Sequence, residues 1–148
     1  MAVLIYLSRD ASAQALGADE TAAALQVAAA AKGTSITLTR VGSRGMVWLE
    51  PLVEVENASG QRIAYGPVTA GDVPGLVQAG LFDTASHPLR LGRVEDMPWF
   101  AQQERLTFAR VGVIDPVSVD DYVAHDGFAG LKRALGMSGA EIVDEVLE

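Results

Sequence analysis

Apolar and polar positions along the chain change period several times, and each change predicts an element. Ala2 to Leu7 is an unbroken apolar, β-branched and aromatic run, the pattern of a buried strand. Eleven alanines between Ala11 and Ala31 combine the best helix propensity with the smallest side chains. They predict a helix over about Asp19 to Ala31, thin enough to lie close against a sheet, with Lys32 and Gly33 ending it. Ser35 to Val41 alternates as a strand. Leu52 to Glu56 and Arg62 to Tyr65 flank Asn57-Ala58-Ser59-Gly60, whose Asn and Gly supply the turn of a β-hairpin. Thr69 stands three residues before Asp72, a variant of the capping box, and Val73, Leu76 and Val77 follow at helical spacing up to Gly80. The order β-α-β-(β-β)-α predicts a small α/β domain with a mixed sheet over residues 1–81.

From Phe82 to Pro98 the periodicity stops, and Pro, Gly, His, Asp and Glu predominate, which predicts a linker or arm over residues 82–104. Helical spacing then returns over residues 105–148. Ser118 to Asp121 opens a short helix through Tyr122, and Gly127 to Leu135 forms a second. Ser138 with Glu141 is a capping box for a third, in which Ile142, Val143, Val146 and Leu147 share one apolar face. That face needs a cover, and self-association through this C-terminal helix is one way to supply it.

Composition narrows the chemistry. The 148 residues include no cysteine, so no disulfide, thiolate zinc site, cysteine-ligated iron-sulfur cluster or Cys nucleophile can come from this chain. His87 and His125 lie too far apart for a two-histidine helix site, and no metal ligands are expected. A net charge of −8 without any Lys/Arg cluster disfavours nucleic acid. With no apolar run near the about 20 residues that span a bilayer, and no signal-peptide pattern at Met1 to Leu7, the chain reads as cytoplasmic and free of membrane. About 150 residues can bury roughly 70% of their unfolded surface, so a core needs no staple.

The candidate sites are few. Gly42-Ser43-Arg44-Gly45, after a strand, is either a plain turn or an anion-binding nest with Arg44 beside it. It is not a dinucleotide fingerprint, since the third Gly and the following helix are missing. Ser43 lacks the nucleophile-elbow context. Glu54 and Glu56 share one strand face, and Asp120 and Asp121 sit in a first helical turn, where the dipole favours them; a solvated face accounts for both pairs. His87 reads as a loop residue and His125 as a helix-end residue. Trp48, Trp99 and Phe100 read as core or interface anchors. No catalytic residue is expected.

Gly42-Ser-Arg-Gly-Met-Val-Trp-Leu-Glu-Pro-Leu-Val-Glu-Val-Glu56, with Tyr65-Gly66-Pro67-Val68-Thr69 after it, resembles the thioredoxin-like ferredoxin domain that precedes the flavin-binding β subunit of NAD-dependent formate dehydrogenases and bidirectional hydrogenases. Met97-Pro-Trp-Phe-Ala-Gln-Gln-Glu-Arg105, Val113-Ile-Asp-Pro-Val-Ser118, Asp121-Tyr122 and Gly127-Phe-Ala-Gly-Leu-Lys-Arg-Ala-Leu135 resemble the entry segment of that subunit, shared with the flavoprotein of respiratory complex I. In relatives that keep a two-iron, two-sulfur centre the loop reads G-C-x-G-x-C. Gly42 and Gly45 match that pattern, whereas Ser43 and Val47 stand at the two ligand positions. The resemblance therefore implies a thioredoxin-like domain without cluster ligands over 1–81, an arm over 82–104, and the helical start of a flavin domain over 105–148. It implies FMN, NAD and a four-iron, four-sulfur cluster in a longer parent and none in this chain. The expected role is non-catalytic, in assembly or docking of the other subunits of a formate dehydrogenase complex. The alternative is a free-standing module for a small ligand or protein on a degenerate thioredoxin-like fold.

Overall fold

A computed structural model describes residues 2–147. The chain forms two compact units, divided between Asp115 and Pro116. In the first, five strands make a mixed sheet of order β2-β1-β3-β4-β5. They are β1 (Val3–Ser8), β2 (Ile36–Val41), β3 (Val53–Glu56), β4 (Arg62–Tyr65) and β5 (Arg90–Arg93). Strands β1 and β2 run parallel, joined by helices α1 (Ala11–Ala15) and α2 (Ala18–Ala31), and every other pair is antiparallel. Helix α3 (Val73–Gln78) follows β4, and α4 (Pro98–Ala101) follows β5. The α/β class and mixed sheet thus match the sequence reading. The alanine-rich stretch forms two helices instead of one, because Asp10 caps an extra turn by accepting from the Ser12 N–H at 3.2 Å, and Leu16-Gly17 separates the two.

Strand alternation sends side chains to two different faces. Ile5 pairs with Val55 and that with Ile63; Leu7 pairs with Val53 and that with Tyr65. These rows meet a stripe on α2 at helical spacing, Ala18, Thr21, Ala22, Leu25 and Ala29, together with Val73, Leu76 and Val77 of α3. The small alanines let α2 approach closely, and the Thr21 hydroxyl disposes of its polarity by donating to the Val68 carbonyl at 2.9 Å. On the opposite face run Tyr6, Glu54, Ala64 and Gly92, one on each of four adjacent strands. Met46, Leu52, Val94 and Phe100 cover this face in a second, smaller core around Ala64.

Two expectations are corrected here. The domain does not end at Leu81, since the first unit continues to Asp115. Residues 82–104 are not a linker either: β5 hydrogen-bonds along β4, and Val94 and Phe100 close the sheet's second face. The segment lacked periodicity because a four-residue edge strand, two 3-10 turns and the one-turn helix α4 are each too short to repeat a pattern.

The second unit carries α5 (Val119–Ala124), α6 (Ala129–Ala134) and α7 (Gly139–Leu147). Ser118 caps α5 by accepting from the Asp121 N–H. The Ser138/Glu141 box is reciprocal: the Ser138 N–H donates to the Glu141 carboxylate at 2.7 Å, and the Glu141 N–H donates to the Ser138 hydroxyl at 3.3 Å. Tyr122 and Phe128 meet edge to face with centroids 4.9 Å apart. Gly127 is required there, because a Cβ would lie 2.3 Å from the Tyr122 carbonyl oxygen. Ile142, Val143, Val146 and Leu147 are all exposed.

Candidate functional site

The Gly42–Gly45 loop leaves the end of β2 and leads into a 3-10 turn over Val47–Leu49. Ser43 is locked by local bonds: its hydroxyl donates to Glu50 Oε1 at 2.9 Å and accepts from the Gly45 N–H at 3.1 Å. The other Glu50 oxygen accepts from the Leu52 N–H at 2.9 Å. Glu50 is buried, and desolvation raises its pKa, an effect the bonds from Leu52 and Ser43 only partly offset. Gly42 lies close to the Val111 side chain. Val47, at the second ligand position of the loop, is an exposed apolar side chain.

Arg44 turns inward. Its Nε and Nη2 grip the Glu54 carboxylate in a fork, Nη2 at 2.8 Å from Oε2, and Nη2 also donates to the Gly112 carbonyl at 3.2 Å. Arg62 reaches the same two acceptors, Glu54 at 3.4 Å and the Gly112 carbonyl, while its guanidinium lies 3.4 Å from the centroid of the Tyr6 ring. The Tyr6 hydroxyl donates to Glu56 at 3.1 Å. Gly112 makes the convergence possible: its φ is +78°, and a Cβ there would sit 2.7 Å from Arg44. The solvated reading of Glu54 is thereby corrected, since Glu54 is buried between two guanidiniums. Strand alternation did place it opposite Val53 and Val55; what it could not show was the cover that residues 94–112 put over that face. The nest reading changes too, because Arg44 is spent on Glu54 and not held ready beside the loop.

Phe100 anchors the outer side of this cluster. Its ring is buried, and both Arg44 and Arg105 hold their guanidinium carbons near it, 5.4 and 5.2 Å from the centroid. Trp48 and Trp99 meet edge to face at 5.3 Å, both exposed. Of the three expected anchors, Phe100 is therefore a core residue and the tryptophans form a surface pair. His87 lies in a loop, where Nδ1 accepts from the Leu89 N–H at 3.2 Å, and His125 is the residue after α5. Among the described residues no group of three His, Asp or Glu side chains could hold a metal ion, and no helix is long and apolar enough to cross a membrane. Nucleophile, base and oxyanion donors do not converge around Ser43. Glu50, Arg62 and Arg105 escaped sequence reasoning: Arg62 reaches Gly112, 50 residues on, and no motif marks Glu50 or Arg105, whose partners Ser43, Leu52 and Phe100 are near in sequence but are brought into contact by the turns between them.

This sheet, its helices and its loop define a fold class. A thioredoxin-like 2Fe-2S ferredoxin from Aquifex aeolicus superposes with a TM-score of 0.50 at 16% identity, over 63% of this chain and 93% of that one. The fold is thioredoxin-like, as in that ferredoxin. In sequence, a stretch of 45 residues is 47% identical to the NADP-reducing hydrogenase subunit HndC of Solidesulfovibrio fructosivorans, covering 30% of this chain and only 9% of that subunit's length. No protein-family model matches the chain. A cluster of the kind named for the ferredoxin does not fit the residues present. The chain has no cysteine, the Ser43 oxygen is committed to Glu50 and the Gly45 N–H, and Val47 has no donor atom.

Proposed function

We propose that this chain is a cluster-free, thioredoxin-like module of an NAD- or NADP-linked oxidoreductase of the formate dehydrogenase and hydrogenase type, and that it docks subunits instead of conducting electrons. The observation that carries the reading is the state of the cluster loop. Where the resembled pattern has thiolates, this chain has a hydroxyl closed onto Glu50 and an exposed valine, packed beside a buried Arg44–Glu54–Arg62 cluster that has no redox chemistry. A loop rebuilt in this way keeps its shape through local bonds and does not need a metal to hold it. The stretch shared with HndC supports the link to hydrogenase-type complexes. FMN, NAD and a four-iron, four-sulfur cluster belong, in this proposal, to the flavin subunit and not to these residues, and the electron source is formate or hydrogen.

Deletion in the parent complex tests the role, and the structure sets the cut at Asp115, since a cut at Leu81 would strip β5 from β4. Removing residues 2–115 is expected to prevent the subunits from co-purifying while leaving NADH-driven reduction of an artificial acceptor by the flavin subunit intact. Normal assembly with electron transfer alone lost would overturn it. Iron and sulfide reconstitution of the chain gives a second readout: no cluster absorbance is expected, and stoichiometric iron would refute the cluster-free reading.

A further inference from the structure

Between the Gly42–Gly45 loop and residues 103–111 lies a cleft of about 600 Å³. Its wall presents Arg44 and Arg105, and its rim carries Trp99, Leu106 and Phe108, all exposed. The two cations differ in state. Arg44 is saturated by Glu54 and the Gly112 carbonyl. Arg105 is half-buried on Phe100 and forms no ion pair with any described residue. Burial and the like charge of Arg44 both lower its pKa, and an incoming anion would offset them with a direct opposite charge. The acidic side chains nearby do not serve it: Glu54 is engaged by Arg44 and Arg62, Glu50 by Ser43 and Leu52, and Glu104 lines the cleft without pairing. In a chain of net charge −8, this is an unanswered cation set in an apolar frame.

We propose that the cleft receives a carboxylate presented by a partner chain, an acidic side chain that meets Arg105, with an aromatic or aliphatic neighbour packed on Trp99 and Phe108. The proposal rests on the docking role above and names the chemistry of what docks. Desolvated aromatic and arginine side chains are the groups that carry most binding energy at protein interfaces, and charge complementarity sets partner choice where the rest of the surface repels acids.

Trp48 and Trp99 are the chain's only tryptophans, and they touch each other, so tryptophan emission reports on this rim alone. The full chain is titrated with acetyl-Glu-Phe-amide and with its neutral counterpart acetyl-Gln-Phe-amide. The acidic peptide is expected to shift the emission saturably and to bind about fivefold tighter. Arg105→Gln should erase that preference and Arg110→Gln, outside the cleft, should keep it. Glu104→Gln should tighten the acidic peptide, because it removes a like charge from the rim. Absence of binding, equal affinity for the two peptides, or a preference that survives in R105Q overturns the site. Phenylacetate binding more tightly than the acidic peptide overturns the partner-chain assignment in favour of a free carboxylate. If assembly of the complex ignores residues 2–115, the docking reading itself fails, whatever the peptides do.

Discussion

Glu54→Gln is the substitution that asks most of the second face of the sheet. Glutamine keeps the size and one acceptor of the glutamate but removes the charge that answers Arg44 and Arg62. Both guanidiniums are nearly buried, with side chains 10% and 14% exposed. Removing one partner of a buried ion pair typically costs about 3–5 kcal/mol, because the other charge is left without compensation in a poorly solvated place. The low end applies here, about 3 kcal/mol, since the Gly112 carbonyl still accepts from both arginines and some water reaches them. At about 4 °C per kcal/mol for a unit of this size, the midpoint of thermal unfolding should fall by roughly 10–15 °C. Urea unfolding followed by far-UV circular dichroism measures the same loss, with the slope m unchanged if the transition remains two-state. Arg62→Met is the control. Its contact with Glu54 is the longer limb at 3.4 Å, and its loss leaves no buried charge behind because the Arg44 fork still answers Glu54, so a clearly smaller loss than for Glu54→Gln is expected. A Glu54→Gln variant within 1 kcal/mol of the parent, or an Arg62→Met variant that costs as much, would refute the picture of one carboxylate holding two buried cations.

Gly112→Ala should damage the same cluster from the backbone side, through both the strained φ and the collision with Arg44; a destabilisation of at least about 2 kcal/mol in urea is expected, and a neutral result would show that the 112 turn relaxes freely. Glu50 gives a pH signature. Burial pushes its pKa above the ordinary 4.5, so the folded state holds a proton that the unfolded state releases, and stability declines as pH rises from 4.5 through the raised value. Glu50→Gln keeps an acceptor for Ser43 and Leu52 without that titration, so its stability relative to the parent should improve as pH is raised from 4.5 to 7; a constant difference across the range would contradict it.

What the sequence disclosed and what it hid separate along a physical line. The hairpin was legible because Asn57 does its work locally, its side-chain oxygen accepting from the Ser59 and Gln61 N–H groups at 2.9 Å. The Ser138/Glu141 box and the alanine-rich helix α2 were legible for the same reason, since capping bonds and helix propensity act within a turn or two of chain. Glu54 was not. Its partners stand 10 and 8 residues away, and the cover that keeps water off them comes from around Phe100 and Gly112. A strand that looks half-solvated in isolation becomes buried at three of its four positions once a distant segment lies over it, and β5 could be recognised only from the β4 edge it completes. The cluster loop was legible as a substitution, Ser43 and Val47 at ligand positions, but not as a structure, because Glu50 enters the loop's chemistry only through the fold.

The split of the first unit into an apolar face and an ionic face also imposes an order on synthesis. Strands β1 to β4 and helices α1 to α3 all precede residue 82, so the apolar core can close while the rest of the chain is still being made. Arg44, Glu54 and Arg62 are present by then as well, but Val94, Phe100 and Gly112 are not. The ion pairs therefore meet first in water, where such pairing is weak, and lose that water only when the segment from Val94 to Gly112 emerges and settles over them. The segment from Val94 to Gly112 thus seals a charged surface that the ribosome has already exposed, and the desolvation cost of burying it falls on that step.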